Sequence, residues 1–415
     1  MANNRQRSSP LEVFVAFLRL GCISFGGPIA HLGYFRDAFV ERRKWLTEAS
    51  YAEVIALAQS MPGPASSQVG FAIGLLRAGW LGGLAAWTGF TLPSAILMLA
   101  FAYGYGHQPG RVATAALHGL QLVAVAVVAQ AVLRMQRTLA PDVPRLAIAL
   151  VGGVIALFAP PAYATASAIV AGAIAGLVLL RRQNPVTGGD PLPETTVSET
   201  TISETTISEA TISRRGSAAA ATAFVVLLVS ALLLSRSHSI FIAVLASLYR
   251  TGALVFGGGH VVLPLLDASI VERGWLAQPS FLAGYGAAQA LPGPLFSIAA
   301  YVGAAARPNP HPLLLGLCSL LALFSPGLLL MAAVLPFWET LRRRMLVRSL
   351  LGGINASVVG VLAAALYRPL ITTAVHGIAD AVIACVAFVL LARFKVQPWI
   401  IVLGTTLASA LVVLH

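Results

Sequence analysis

"SFGGPIA", residues Ser24–Ala30, interrupts an apolar stretch that otherwise reads as helix. "VFGGGHV", residues Val255–Val261, interrupts another in the same way 231 residues later. Glycine is a poor helix former and proline breaks a helix interior, so each stretch predicts a broken segment. The neighbours of the two breaks also match. Arg19-x-Gly21-x-x-x-Phe25-Gly26-Gly27 is repeated as Arg250-x-Gly252-x-x-x-Phe256-Gly257-Gly258. Glu41-Arg42 matches Glu272-Arg273, and Trp45-Leu46 matches Trp275-Leu276. "AQSMPGP" (Ala58–Pro64) returns as "AQALPGP" (Ala288–Pro294), and Arg77 as Arg307. Pro93 pairs with Pro326, and Gly119 and Gln121 pair with Gly353 and Asn355. An ordered series of this kind marks an internal duplication.

Composition fixes the class. Hydrophobic residues make up 58% of the chain and charged residues 10%. Soluble domains carry about 45–50% and about 25%. Trp80–Tyr105, Val112–Leu133 and Leu370–Leu391 are each apolar over a length that crosses a bilayer. The expected fold class is an all-α polytopic membrane protein, with the lipid bilayer as its surroundings. The three cysteines, Cys22, Cys318 and Cys385, lie in apolar segments without metal-ligand spacing and read as buried thiols. Residues 183–216 include "ETTVSETTISETTISEATIS", a polar tract of period five. Such a tract cannot bury enough surface to fold alone and reads as a disordered linker. The expected domains are therefore a first repeat at 1–182, the linker at 183–216, and a connecting helix plus second repeat at 217–415.

Each repeat reads as two broken segments followed by four spans. The first has 11–44, 47–77, 79–105, 111–136, 144–159 and 162–180. The second has 239–273, 280–306, 312–337, 345–367, 370–391 and 397–413. Ser217–Leu234 adds one further apolar segment between them. If both broken segments behave alike, each repeat crosses an even number of times. The connecting helix then inverts the second repeat. With re-entrant breaks and a cytoplasmic N-terminus, the Arg36–Lys44 cluster, Arg77, Arg134, Arg137, Arg181, Arg182, Arg348 and Arg393 all face inward. Only Arg111, Arg236, Arg273, Arg307 and Arg368 face outward, which agrees with the positive-inside rule. The net charge of +12 is thereby explained without a nucleic-acid partner.

Inverted repeats with broken helices build transporter sites at mid-membrane. Non-helical backbone at that depth persists only inside protein or along a cavity. Pro28 and Pro64 can each start a half-helix whose free N–H groups bind an anion. Ser66 and Ser67 follow Pro64, Ser297 follows Pro294, and Gln59 and Gln289 precede the two PGP motifs. The expected binding set is Arg19, Phe25, Gly26, Gly27, Pro28, Gln59, Pro62, Gly63, Pro64, Ser66 and Ser67 from the first half. Arg250, Phe256, Gly257, Gly258, Gln289, Pro292, Gly293, Pro294 and Ser297 come from the second. An arginine at membrane depth normally faces a cavity or partner, and Arg19 is preferred because its half keeps both prolines and the serine pair. Glu53 and His260 are the titratable candidates for coupling. No nucleotide loop, zinc motif or nucleophile elbow occurs, so neither an enzyme nor a cofactor or metal is expected.

"FLRLGCISFGGPIAHLGYFRDAFVERRKWL", "AQSMPGPASSQVGFAIG", "VFGGGHVVLP" and "AQALPGPLFSIAAYVG" together resemble the chromate ion transporter family, more narrowly its long two-domain members. The resemblance covers residues 11–180 and 239–413. It implies export of chromate across the bacterial inner membrane, resistance to chromate, and sulfate as the substrate's analogue. Two alternatives remain: a sulfate or other oxyanion uptake or exchange carrier, and a lipid-phosphate enzyme or flippase. A homodimer is left open.

Overall fold

The computed structural model describes residues 8–105, 111–180, 213–256, 259–342, 344–394 and 396–414. Gly257, Gly258 and most of the expected linker lie outside these residues. All regular structure among the described residues is helical.

The chain enters α1 (Pro10–Ile23), where the Ser9 hydroxyl accepts from the Glu12 amide at 3.1 Å. Helix stops at Ser24 and resumes in α2 (Gly27–Phe35), which widens into a π-type turn over Arg36–Arg42. α3 (Glu48–Ser60) leads into Pro62-Gly63-Pro64, and α4 (Ala65–Tyr105) leads out. α4 is kinked where Ala78 and Gly79 leave helical geometry. α5 (Arg111–Leu139), α6 (Val143–Phe158) and α7 (Pro161–Ala175) complete the first half.

α8 (Arg214–Leu234) has no counterpart in that half. It starts three residues before the expected Ser217, because the Ser213 hydroxyl caps it by accepting from the Gly216 amide. The second half then repeats the pattern. α9 (Ile240–Leu254) precedes the break, and α10 (Val262–Leu266) ends in a wide turn at Asp267–Val271. α11 (Gln278–Ala290) and α12 (Ile298–Ala305) flank the second PGP. α13 (Pro312–Val334), α14 (Trp338–Arg342), α15 (Met345–Ala365), α16 (Thr372–Ala374), α17 (Ile378–Ala392) and α18 (Pro398–Leu414) follow. Arg36 and Asp267, where the wide turns begin, are equivalent positions in the duplication.

The two arms of each broken segment touch one another. Glu12 on α1 pairs with Arg43 at 3.5 Å, and Ser8 accepts from Arg77 at 3.0 Å. Arg43 and Arg77 both stack on the Trp45 ring, at 5.2 and 5.3 Å. The outer ends of both first-half broken segments therefore lie together. The second half matches: Thr251 meets Ser269 at 3.2 Å, and Tyr301 donates to the Ser280 carbonyl at 2.8 Å. The Arg307 amide donates to the Trp275 carbonyl at 2.8 Å, echoing Arg77 and Trp45. α1, α3, α9 and α11 have 14, 13, 15 and 13 residues. At 1.5 Å per residue each rises about 20 Å, short of the about 30 Å hydrocarbon core.

The two halves interlock. α5 packs against α17 and α18 of the second half, while α15 packs against α6 and α7 of the first. Apolar area cannot drive such contacts in lipid, so close packing must. Gly152 and Gly172 both meet Ser357, whose hydroxyl donates to the Ala168 carbonyl at 2.6 Å. Among the described residues, six helices are long and apolar enough to cross a bilayer.

Two expectations are corrected. Leu370–Leu391 is not one helix: the chain leaves helical geometry between α16 and α17, and the His376 amide bonds the Asp380 carboxylate instead. Cys22 and Cys385 are exposed and Cys318 is half-buried rather than buried, because an apolar helix of a membrane protein carries apolar residues on its outward face as well as its inward one.

Candidate functional site

The breaks of the two halves meet each other. The Gly63 amide donates to the Val255 carbonyl at 2.7 Å, and the Gly293 amide donates to the Ser24 carbonyl at 2.9 Å. Gly63 and Gly293 are equivalent in the duplication, as are Ser24 and Val255. Each PGP motif thus closes on the residue preceding the other half's Phe-Gly-Gly. Both glycines carry left-handed φ, +126° and +95°. A Cβ on Gly63 would lie 2.8 Å from the Gly327 Cα, just after Pro326. One on Gly293 would lie 3.0 Å from the Ser94 hydroxyl, just after Pro93. Pro28 and its equivalent, Gly259, also face each other: a Cβ on Gly259 would sit 3.4 Å from the Pro28 Cγ.

Donors gather at this junction. α2 starts behind Gly26, whose φ is +100°, and no side chain caps it. The first N–H groups of a helix lack intrahelical partners and carry partial positive charge. Ser66 and Ser67 lie buried in the first turn of α4. The Ser24 and Ser67 hydroxyls are buried without a hydrogen-bond partner among the described residues. Gln68 is structural: its Nε2 donates to the carbonyls of Pro62 (2.9 Å) and Gly327 (3.1 Å).

His31 is a site residue that sequence reasoning missed. It is fully buried, its Nε2 lies 3.2 Å from the Ser24 carbonyl, and its Nδ1 lies 3.4 Å from the Ser66 hydroxyl. With Nε2 donating to that carbonyl, Nδ1 accepts from Ser66. The Ser24 carbonyl thus takes two bonds, from Gly293 and His31. The only sequence signal was a histidine three residues beyond Pro28.

The remaining expected residues divide. Gly63, Pro64, Ser66, Ser67, Gly293, Pro294 and Ser297 are buried, while Phe25, Pro28, Pro62, Phe256, Gln289 and Pro292 are half-buried. Gly26 and Gln59 are exposed and Gly27 is half-exposed. His260 is bonded through Nδ1 to the Tyr285 hydroxyl at 2.9 Å. Glu53 lies half-buried on α3. Arg19 projects from an exposed face of α1, whereas Arg250 is half-buried and lines a cavity away from the PGP motifs. The structure thus separates two arginines that the sequence pairs.

The halves differ in access. Every residue of α10 is buried, and so is Phe281–Ala288 of α11. α11 packs on α5 and α10 on α15. α2 and α3 have no comparable packing on either helix, and Gly33, Ala52 and Ala56 on them are exposed.

Among the described residues one group fits a metal by donor type: His118, His376 and Asp380, whose donor atoms lie within 4.8 Å of one another. His118 Nε2 bonds the Asp380 carboxylate at 2.9 Å, tying α5 to the start of α17. None of the three lies on a segment bearing a break.

The chromate transporter family model matches residues 11–177 and 242–410. A chromate transport protein of Pseudomonas aeruginosa is 26% identical over 70% of this chain and 65% of its own length, just under two thirds. Another, from Cupriavidus metallidurans, is 24% identical over 92% of this chain and 88% of its own. An uncharacterized transporter of Methanocaldococcus jannaschii is 24% identical over 88% of this chain and 85% of its own. No solved structure matches the chain. The matched segments run through both halves and take in all four breaks, and the chain belongs to the chromate transporter family.

Proposed function

We propose that the protein is a secondary carrier that exports chromate from the bacterial cytoplasm through a site shared by two inverted repeats. The observation that carries this reading is the reciprocal pair of backbone bonds, Gly63 to Val255 and Gly293 to Ser24. A reciprocal pair is what a two-fold relation between repeats generates. Re-entrant hairpins are supported by arms shorter than the membrane and by outer ends that lie together, Ser8 with Arg77 and Trp45.

The junction suits a tetrahedral dianion. Free helix N–H groups and the Ser24 and Ser67 hydroxyls are neutral donors, and a desolvated anion without them would be prohibitively costly. Each half-helix N-terminus contributes roughly 0.3–1 kcal/mol when exposed and up to about 2 when partly buried. Chromate and sulfate share the shape, so both are expected to compete. With no nucleotide motif in the chain, an ion or exchange gradient supplies the driving force. In the inverted arrangement the packed α10 and α11 lie on the outer side and the exposed α2 and α3 on the cytoplasmic side. That fits a carrier open to the cytoplasm, ready to load its anion.

The test is chromate uptake by everted vesicles with and without the protein, with sulfate varied. Uptake that depends on the protein and falls with sulfate is expected. Uptake confined to right-side-out vesicles would reverse the direction, and none in either would sink the reading.

A further inference from the structure

A cavity of about 610 Å³ opens between the start of α7, the end of α8, α9 and the wide turn after α10. Arg236, Arg250 and Arg273 line it, opposed by one carboxylate, Glu272. Arg273 is fixed in place: it donates to the Ser235 carbonyl at 2.6 Å and stacks on Trp275 at 5.1 Å. Three like charges around one space repel each other, and a bound anion relieves that repulsion.

The wall also supplies a free donor. Ser247 lines the cavity, is 1% exposed, and its hydroxyl has no hydrogen-bond partner among the described residues. It lies three residues before Arg250, one helical turn away on the same face of α9. The first half has nothing equivalent. Ala16 and Leu20 stand where the second half has Ser247 and Thr251, and Arg19 is exposed. α8, which closes one side of the cavity, exists only once in the chain.

We propose that this cavity binds a tetrahedral oxyanion between Arg250 and Arg273, with the Ser247 hydroxyl as a further donor. It is a second anion site, separate from the junction of the breaks. In the inverted arrangement the cavity lies toward the outer side, on the anion's path out, and only that placement rests on the proposed function. Arginine's planar fork grips two oxygens of such an ion, and a lysine at the same place offers only a point charge. A soluble dianion and the phosphate of a lipid headgroup share this chemistry.

The experiment is calorimetric titration of sulfate into purified full-length protein, each variant first checked for equal insertion and elution as one species. Losing a charged hydrogen bond weakens binding by about 10-fold or more, and losing a neutral one by about 3-fold. Arg250→Gln is expected to show the first loss, Ser247→Ala the second, and Arg250→Lys an intermediate value. Arg348→Gln, at an exposed arginine outside both the cavity and the breaks, is expected to match wild type. Equal sulfate binding by wild type and Arg250→Gln overturns the site, whether or not chromate is transported. Wild-type vesicles that move no chromate sink the proposed function, while sulfate binding in the cavity stands or falls by the titration alone. Repeating the titration in nanodiscs separates the two sources. Binding retained in both phosphatidylcholine and phosphatidylglycerol assigns the cavity to a soluble anion. Loss in phosphatidylglycerol alone assigns it to a headgroup phosphate.

Discussion

The Gly63 amide reaches across the duplication to the Val255 carbonyl at 2.7 Å, in a backbone conformation, φ +126°, that side chains rarely adopt. Strain at such a position costs about 1–3 kcal/mol. A methyl group there also meets the Gly327 Cα at 2.8 Å, and backbone cannot swing aside. Gly63→Ala is therefore expected to lower the thermal midpoint in detergent and abolish transport. Gly293→Ala carries the same left-handed strain, at φ +95°, but its nearest contacts are the Ser94 hydroxyl at 3.0 Å, which can turn, and the Phe90 carbonyl at 3.2 Å, so its loss is expected to be smaller than that of Gly63→Ala. Gly404→Ala, with open space around its Cβ, is the control and should match wild type. Equal activity for Gly63→Ala and Gly404→Ala would remove the junction from the mechanism.

His31 joins the first break to the helix after PGP, through Ser24 on one side and Ser66 on the other. Removing a partner of a buried polar group costs about 1–3 kcal/mol. His31→Ala is expected to lower the thermal midpoint and cut chromate transport about 10-fold, by that same energy scale. His31→Gln keeps a donor and an acceptor and should retain more of both. Assays normalised to inserted protein check this, and a wild-type rate for His31→Ala would leave the histidine a space-filler.

The proposed re-entrant arrangement fixes where the ends of the chain lie. Under it, half-depth hairpins leave four crossings per half, and α8 inverts the second half. A reporter fused after His415 is expected to read extracytoplasmic, and one inserted at residue 190 cytoplasmic. Both reading on one side would break the inversion.

The duplication was legible because glycine and proline leave a local mark wherever they stand. Phe25-Gly26-Gly27 and Pro62-Gly63-Pro64 announce non-helical backbone without any knowledge of neighbours. What they touch was not legible. The Ser24 carbonyl meets Gly293 through a contact that no local pattern encodes. Arg19 and Arg250 have the same immediate motif, yet α7 and α8 wall a cavity beside Arg250 only, so their difference is a tertiary fact. Hydropathy also ran unbroken through Leu370–Leu391, because a turn built from Val375, His376 and Gly377 changes it little.

The unequal packing of equivalent helices gives the last expectation. Gly286 on α11 lies directly on the Leu120 carbonyl of α5, closely enough that a Cβ would collide with backbone. Its equivalent, Ala56 on α3, is exposed. Inverted repeats exchange such roles when the site turns to face the other side. With the three native cysteines replaced, Ala56→Cys is expected to react with an impermeant maleimide in everted vesicles. Ala283→Cys, fully buried where α11 meets α5, is expected to resist the reagent from both sides. Chromate that drives the site toward its other state should protect Ala56→Cys and open Ala283→Cys. Labelling of both positions that is equal and indifferent to chromate would mean that the packing difference is fixed and has no part in transport.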